Sequence, residues 1–241
     1  MPEKEKDLPT DWGYTTTARK EFGSIYQGRQ LIGRDMDVRG GVYYGTYKGE
    51  AIVVDPSKNP EQYRLYFEKA KQRAIENGKI QRSKVLQAVF DTVSTEMPYS
   101  QEKVDSILND IGKAKGLPQF PDGSKIDLGV FMENHAGVCR HQALACAVLL
   151  QSFKDEGYIR GDISVDRNAV WQPNSELDGH AWVRYTSHGG NVMILDVAQG
   201  YLGLLDDAQN SARWNYLRPE EQRTDVAQQI GNLVIPESAV A

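Results

Sequence analysis

A chain of 241 residues with 40% apolar and 25% charged residues can build one substantial core, and with only two cysteines it does not rely on a disulfide scaffold. A net charge of −5 argues against a nucleic-acid or anionic-membrane surface, both of which need clustered Lys and Arg. The longest apolar run, Ala143 to Leu150, is far too short to span a bilayer, and Met1-Pro-Glu-Lys-Glu-Lys-Asp lacks the order of a secretory signal. A cytoplasmic protein is therefore expected, with export by a signal-independent route left open.

Residues 1–60 are rich in Gly, Tyr and Thr and poor in helix signals. Gly41-Val-Tyr-Tyr-Gly-Thr-Tyr47 and Glu50-Ala-Ile-Val-Val-Asp55 read as a hairpin turning at Lys48-Gly49. An N-terminal β extension over 1–60 is thus expected ahead of a main domain over 61–241. Asn59 and Pro60 open a helix that should stop at Asn77-Gly78. Ser83 caps a second helix through Val85, Leu86, Val89, Phe90 and Val93, which ends near Met97-Pro98 because a residue before proline avoids the α region. Ser100 caps a third, through Val104, Ile107, Leu108 and Ile111, closing at Gly116. Residues 137–153 form a helix that is apolar on most sides and hence buried. Three strands follow, Ile163–Trp171, Gly179–Thr186 and Asn191–Val197, and a last helix starts at Pro219 and runs to about Ile230. Helices, then a central helix, then an antiparallel sheet make an α+β fold.

Chemistry concentrates at the start of the central helix. A thiol attacks acyl carbon as thiolate, and the unpaired N–H groups and dipole of a helix N-terminus favour that form. Gly137-Val138 lets the chain turn into such a helix with Cys139 in its first turn. The second cysteine, Cys146, lies seven residues on, roughly 10 Å along the axis, which exceeds disulfide reach and fits a reducing compartment. Of the four histidines, His141 sits about 200° around the helix from Cys139 and suits packing or capping. His135 has nothing to position it, and His188 stands in a Ser-His-Gly-Gly turn. His180 opens a strand that can present a rigid imidazole, and Asp196 ends the next strand. Because side chains alternate faces, a two-residue loop at Gly189-Gly190 would put Asp196 on the wrong face. An odd loop, His188-Gly189-Gly190, pairs His180 with Ala198 and makes Asp196 a diagonal neighbour on the same face. The expected turn is therefore three residues long, or bulged, with a glycine at positive φ.

Three blocks, Gly137-Val-Cys-Arg-His-Gln-Ala-Leu-Ala, Gly179-His-Ala-Trp-Val-Arg-Tyr and Ile194-Leu-Asp196, resemble in order the signature of the transglutaminase-like superfamily, over roughly residues 80–200. The resemblance implies a papain-like fold, a central helix packed on an antiparallel sheet. It also implies Cys139 as nucleophile, His180 as general base and acid, and Asp196 as the orienting carboxylate. The implied reaction is attack of a thiolate on a carboxamide of a peptide or protein, through a thioester, by a peptidase, deamidase or transglutaminase type of enzyme. No cofactor or metal is expected, since two cysteines cannot form paired zinc-binding motifs and no acidic loop has calcium-ligand spacing. Asn134, a few residues before the thiol, is a candidate oxyanion donor or a turn cap. Trp171, before a loop flanking the cleft, is a candidate substrate contact. The alternative is a binding module that keeps the fold without catalysis, which a covered Cys139 would favour.

Overall fold

The computed structural model describes residues 25–44, 49–171, 177–210 and 214–221. Two short strands, β1 (Ile25–Tyr26) and β2 (Arg29–Gln30), form a small hairpin. Next come β3 (Val42–Tyr44) and β4 (Ala51–Val53), paired antiparallel. They are the expected N-terminal hairpin; residues 45–48 of its turn lie outside the described residues. Helix α1 (Pro60–Ala74) begins with proline in its first turn, where a missing N–H leaves no hydrogen bond unmade. Asn59 flanks it without capping it, because its amide donates instead to Asp127 Oδ1 at 2.9 Å. The helix stops three residues before the expected Asn77-Gly78. Those two residues, at φ 50 and 74, form the turn of a second small hairpin, β5 (Ile75–Glu76) and β6 (Lys79–Ile80). Asn-Gly is a stronger signal for a two-residue hairpin turn than for a helix stop.

Helix α2 (Val85–Glu96) follows a 3₁₀ turn at Arg82–Lys84, so Ser83 lies inside that turn and does not cap the helix. It ends at Met97, before Pro98, as the proline requires. Helix α3 (Gln101–Ala114) is capped by Ser100 Oγ, which accepts from the Lys103 N–H at 3.2 Å. Strand β7 (Lys125–Asp127) and helix α4 (Leu128–Glu133) were not legible as periodic runs, being three and six residues long. β7 pairs in parallel with β4. Ile32, Tyr43, Ile52 and Val54 share the main core with the helices. Residues 25–54 are thereby built into the same core as the segment beyond residue 60.

Helix α5 (Cys139–Asp155) is the centre of the molecule, and every residue from His141 to Gln151 is buried. Small residues at Ala143, Ala145, Cys146 and Ala147 let neighbouring elements approach closely. One side of α5 meets α1 and α2, and the other meets a four-stranded antiparallel sheet of β8 (Gly161–Trp171), β9 (Leu177–Ser187), β10 (Val192–Asp196) and β11 (Tyr201–Leu204). The strand order is β11-β10-β9-β8. β11 and the short helix α6 (Leu205–Asn210) extend the expected three strands. The two sheet faces have different partners. Ala181, Val183, Tyr185 and Leu195 belong to the main core with α5. Trp182 and Ile194 belong to a second cluster with Leu205, Ala208 and Tyr216. The fold is α+β.

Beyond α6 the expected last helix is described only at 219–221, and the remainder lies outside the described residues. Among the described residues no helix is long and apolar enough to cross a membrane.

Candidate active site

Cys139 is the first residue of α5 and is partly exposed. In that position its own N–H has no intrahelical acceptor and points out of the helix end. Val138 precedes it in extended conformation. Val138 has no acceptor on its side chain, so His141 supplies the cap: its Nδ1 accepts the Val138 N–H at 3.2 Å. This leaves the His141 proton on Nε2, which lies 3.0 Å from Glu50 Oε1. Glu50 comes from the loop before β4, and its side chain is fully buried. It takes Arg140 in a two-pronged grip, Nε to Oε1 at 2.7 Å and Nη2 to Oε2 at 3.1 Å. Burial pushes the His141 imidazole down to about 4, with Glu50 opposing, so His141 is neutral. Burial would raise the Glu50 carboxyl, but bonds to His141 and Arg140 outweigh it and hold it well below the usual carboxylate range. The helix start carrying the thiol is therefore pinned to the N-terminal strands.

His180 is the fourth residue of β9, and Gly179 before it places its carbonyl 3.9 Å from the Cys139 sulfur. The hairpin between β9 and β10 turns through His188, Gly189 and Gly190. The Ser187 N–H donates to the Asn191 carbonyl at 2.9 Å, and Gly190 takes φ +84. This is the three-residue turn that the sidedness argument requires. Val192↔Thr186 through Leu195↔Val183 set the register, which carried two residues past Asp196 brings Ala198 opposite His180. Asp196 then meets His180 across the diagonal: His180 Nε2 donates to Asp196 Oδ2 at 2.5 Å. With Nε2 so engaged, Nδ1 is the other ring nitrogen, and the Cys139 sulfur, 3.9 Å from the carbonyl of the neighbouring Gly179, lies near enough to influence the charge on the ring. Burial of His180 would lower its pKa. Hydrogen bonds to Asp196 and Cys139 overcome that, and the imidazole is pushed up to about 9. Near neutrality it is an imidazolium held by Asp196.

Several partners of this group were not apparent from the sequence. The Tyr216 hydroxyl donates to Asp196 Oδ2 at 2.8 Å, and the Gln199 N–H donates to Oδ1 at 3.1 Å. Trp214 lies over His180 with ring centroids 4.6 Å apart, and its Nε1 donates to Asn168 Oδ1 at 2.6 Å. Asn168 stands on β8 directly opposite His180 and returns a bond from Nδ2 to the Asn215 carbonyl at 3.0 Å. Trp182 sits 5.9 Å from His180, ring to ring, and meets Tyr216 edge-on. The only trace in the sequence is the aromatic pair of Trp214-Asn-Tyr216 in an otherwise polar stretch, which no periodicity ties to the sheet.

The secondary candidates fare differently. Asn134 ends α4 exposed, and its amide donates to the Val130 carbonyl at 2.8 Å, one turn back in its own helix. That engagement is the turn-capping role weighed beside the oxyanion one. Trp171 ends β8 opposite Leu177; its side chain and the loop 172–176 lie outside the described residues. Cys146 is buried, and burial pushes its thiol up. The exposed His135 Nδ1 lies 3.0 Å from the Glu96 carbonyl. Among the described residues no group of three or more His, Cys, Asp or Glu side chains could hold a metal ion. A groove of about 690 Å³ adjoins the helix start, with Arg140, Glu50, Gln101, Asp105 and Asp122 among its lining.

Compared with known proteins, the chain matches no family model, no curated protein and no solved structure.

Proposed function

We propose that this chain is a cysteine-dependent acyl-transfer enzyme acting on peptide or protein amides, of the peptidase, deamidase or transglutaminase type, and that its helix-on-sheet core is papain-like. One observation carries the reading: a thiol at a buried helix's first residue lies 3.9 Å from the carbonyl next to His180, whose imidazole is bonded to a buried carboxylate. Each part has a chemical task. The Cys139 sulfur attacks the amide carbon, and the negative charge moves to the carbonyl oxygen. The Cys139 N–H at the helix end is placed to stabilise that oxyanion. His180, protonated, gives its Nδ1 proton to the departing nitrogen, and a thioester to Cys139 remains. The neutral ring then takes a proton from the incoming water or amine, the thioester opens, and the thiol and imidazole return to their starting state. Asp196 holds the ring and stabilises its cation, as the acid of a serine triad does, with the two ring nitrogens in exchanged roles.

The test uses glutamine-containing peptides with and without a fluorescent primary amine. The readouts are peptide cleavage, ammonia release and amine incorporation. Cys139→Ala should abolish whichever is found, and His180→Ala should lower it by roughly 10²–10⁴-fold. An electrophilic peptide should label Cys139 in the native chain. Equal labelling of Cys139 in the native chain and in His180→Ala would sink the enzyme reading.

A further inference from the structure

The reactive pair is not assembled by the helix and hairpin alone. Residues 214–221 cross the sheet face that carries His180, Trp182 and Arg184, and they bring side chains to it in alternation. Tyr216 is almost fully buried, and its hydroxyl and the His180 imidazole meet on the same oxygen of Asp196. Two residues on, Arg218 fastens the segment. Its guanidinium bonds Asp166 at 2.8 and 2.9 Å, Asp35 at 2.8 and 3.1 Å, and Ser164 Oγ at 3.1 Å. Asp166 has no exposed side-chain surface and also accepts from Ser164 at 2.5 Å. Glu221 is gripped by both Arg184 nitrogens, and Glu220 pairs with Arg34 at 2.8 Å. The anchors thus sit on β8, β9 and the N-terminal region together.

We propose that Tyr216 is a positioning residue of this site that shares with His180 the Asp196 oxygen and so moderates the carboxylate's hold on the ring, from a C-terminal segment that Arg218 fastens to the sheet. The catalytic consequence rests on the acyl-transfer reading; the geometry does not. Asp196 Oδ1 is fixed by the Gln199 N–H, and Oδ2 by Tyr216, so the carboxylate has one orientation in which to receive the ring. Two donors on one oxygen also compete for its electron density. Removing the phenol hydroxyl leaves Asp196 Oδ2 to His180 alone, and the carboxylate then favours the imidazolium more strongly. Removing the fastening does the opposite: water enters, the Asp196–His180 attraction is screened, and the cation is less favoured. Among the described residues, the groups that face His180 are Asp196 from β10, Cys139 from the start of α5, the uncharged Asn168 from β8, Trp182 from its own strand and Trp214 of the segment itself, with Tyr216 acting through Asp196.

The experiment is an NMR titration of histidine-labelled full-length chain, with His180 assigned by loss of its signal in His180→Ala. Tyr216→Phe should raise the His180 midpoint by about 0.3 unit or more, a twofold gain in proton affinity. Arg218→Met should lower it, by about threefold or more in affinity. A folded Tyr216→Phe whose midpoint equals or falls below the wild type overturns the sharing of Asp196, and a folded Arg218→Met with an unmoved midpoint overturns the fastening. Should Arg218→Met not fold, Tyr216→Phe decides alone. These midpoints need no turnover, so they are separate from the enzyme reading. That reading fails instead if Cys139 in the wild type is alkylated no faster than in His180→Ala.

Discussion

At Asp196 one buried carboxylate serves three donors, the His180 ring, the Tyr216 hydroxyl and the Gln199 N–H. Asp196→Ala leaves all three without their acceptor in a site closed to water. The expected result is loss of about 3–5 kcal/mol of stability in urea unfolding, together with loss of activity, because a broken buried pair leaves its partner uncompensated. Glu50 presents the same arithmetic at the helix start. Its fully buried side chain joins Arg140 and His141, and Glu50→Ala should cost a similar amount. It should also slow alkylation of Cys139, since it loosens the turn that holds the thiol. A Glu50→Ala chain with native denaturant midpoint and native alkylation rate would show that the grip on Arg140 contributes nothing.

At the scale of elements, the β9–β10 hairpin decides whether Asp196 meets His180 at all. Its three-residue turn ends on Gly190 at φ +84, where an added Cβ would meet nothing within 4 Å, so a substitution there is opposed by backbone strain alone. Gly190→Val should therefore destabilise by about 1–2 kcal/mol, read as a lower thermal midpoint. The same strain biases the loop toward other lengths. A one-residue slip would turn the Asp196 side of β10 away from His180. Activity should accordingly fall more in Gly190→Val than its stability loss alone explains. For comparison, Ser100→Ala removes the N-cap of α3, outside the hairpin, and should cost about 1 kcal/mol without altering the hairpin register.

For the whole molecule, two buried histidines of opposite behaviour set the pH dependence of stability. His180 is raised to about 9 in the fold, against an ordinary value near 6.5. Between those values the native state binds one proton more than the unfolded state, so stability is full below about 6.5 and is lost as pH rises toward 9. His141 is lowered to about 4. There the unfolded state binds the extra proton, so stability is full above about 6.5 and is lost as pH falls toward 4. Each contributes on the order of 3 kcal/mol across its window. Chemical denaturation from pH 4 to 9 should give a maximum near 6.5. Removing the His180 charge with His180→Gln should flatten the alkaline limb and leave the acid limb in place.

The sequence by itself determined the local pieces. Gly137-Val138 before an apolar run places Cys139 at a helix start, because that run can only be a buried helix and its first turn exposes N–H groups. Strand-like runs located β8, β9 and β10, and the alternation of faces required the odd loop at His188–Gly190 once Asp196 was to meet His180. Short elements escaped, since β7, α4, β11 and α6 carry too few residues for a period to register. What only the tertiary structure decided is everything that depends on contacts between distant residues. Arg218 reaches Asp35 across 183 positions, Arg140 reaches Glu50 across 90, and Tyr216 meets Asp196 from a segment with no periodic pattern. Asn134 stood at a plausible sequence distance from the thiol, yet its amide donates within its own helix, to the Val130 carbonyl that also accepts the Asn134 N–H. A side chain's local pattern fixes the element it belongs to; which face another element covers depends on how the whole core closes, and no window of sequence contains that.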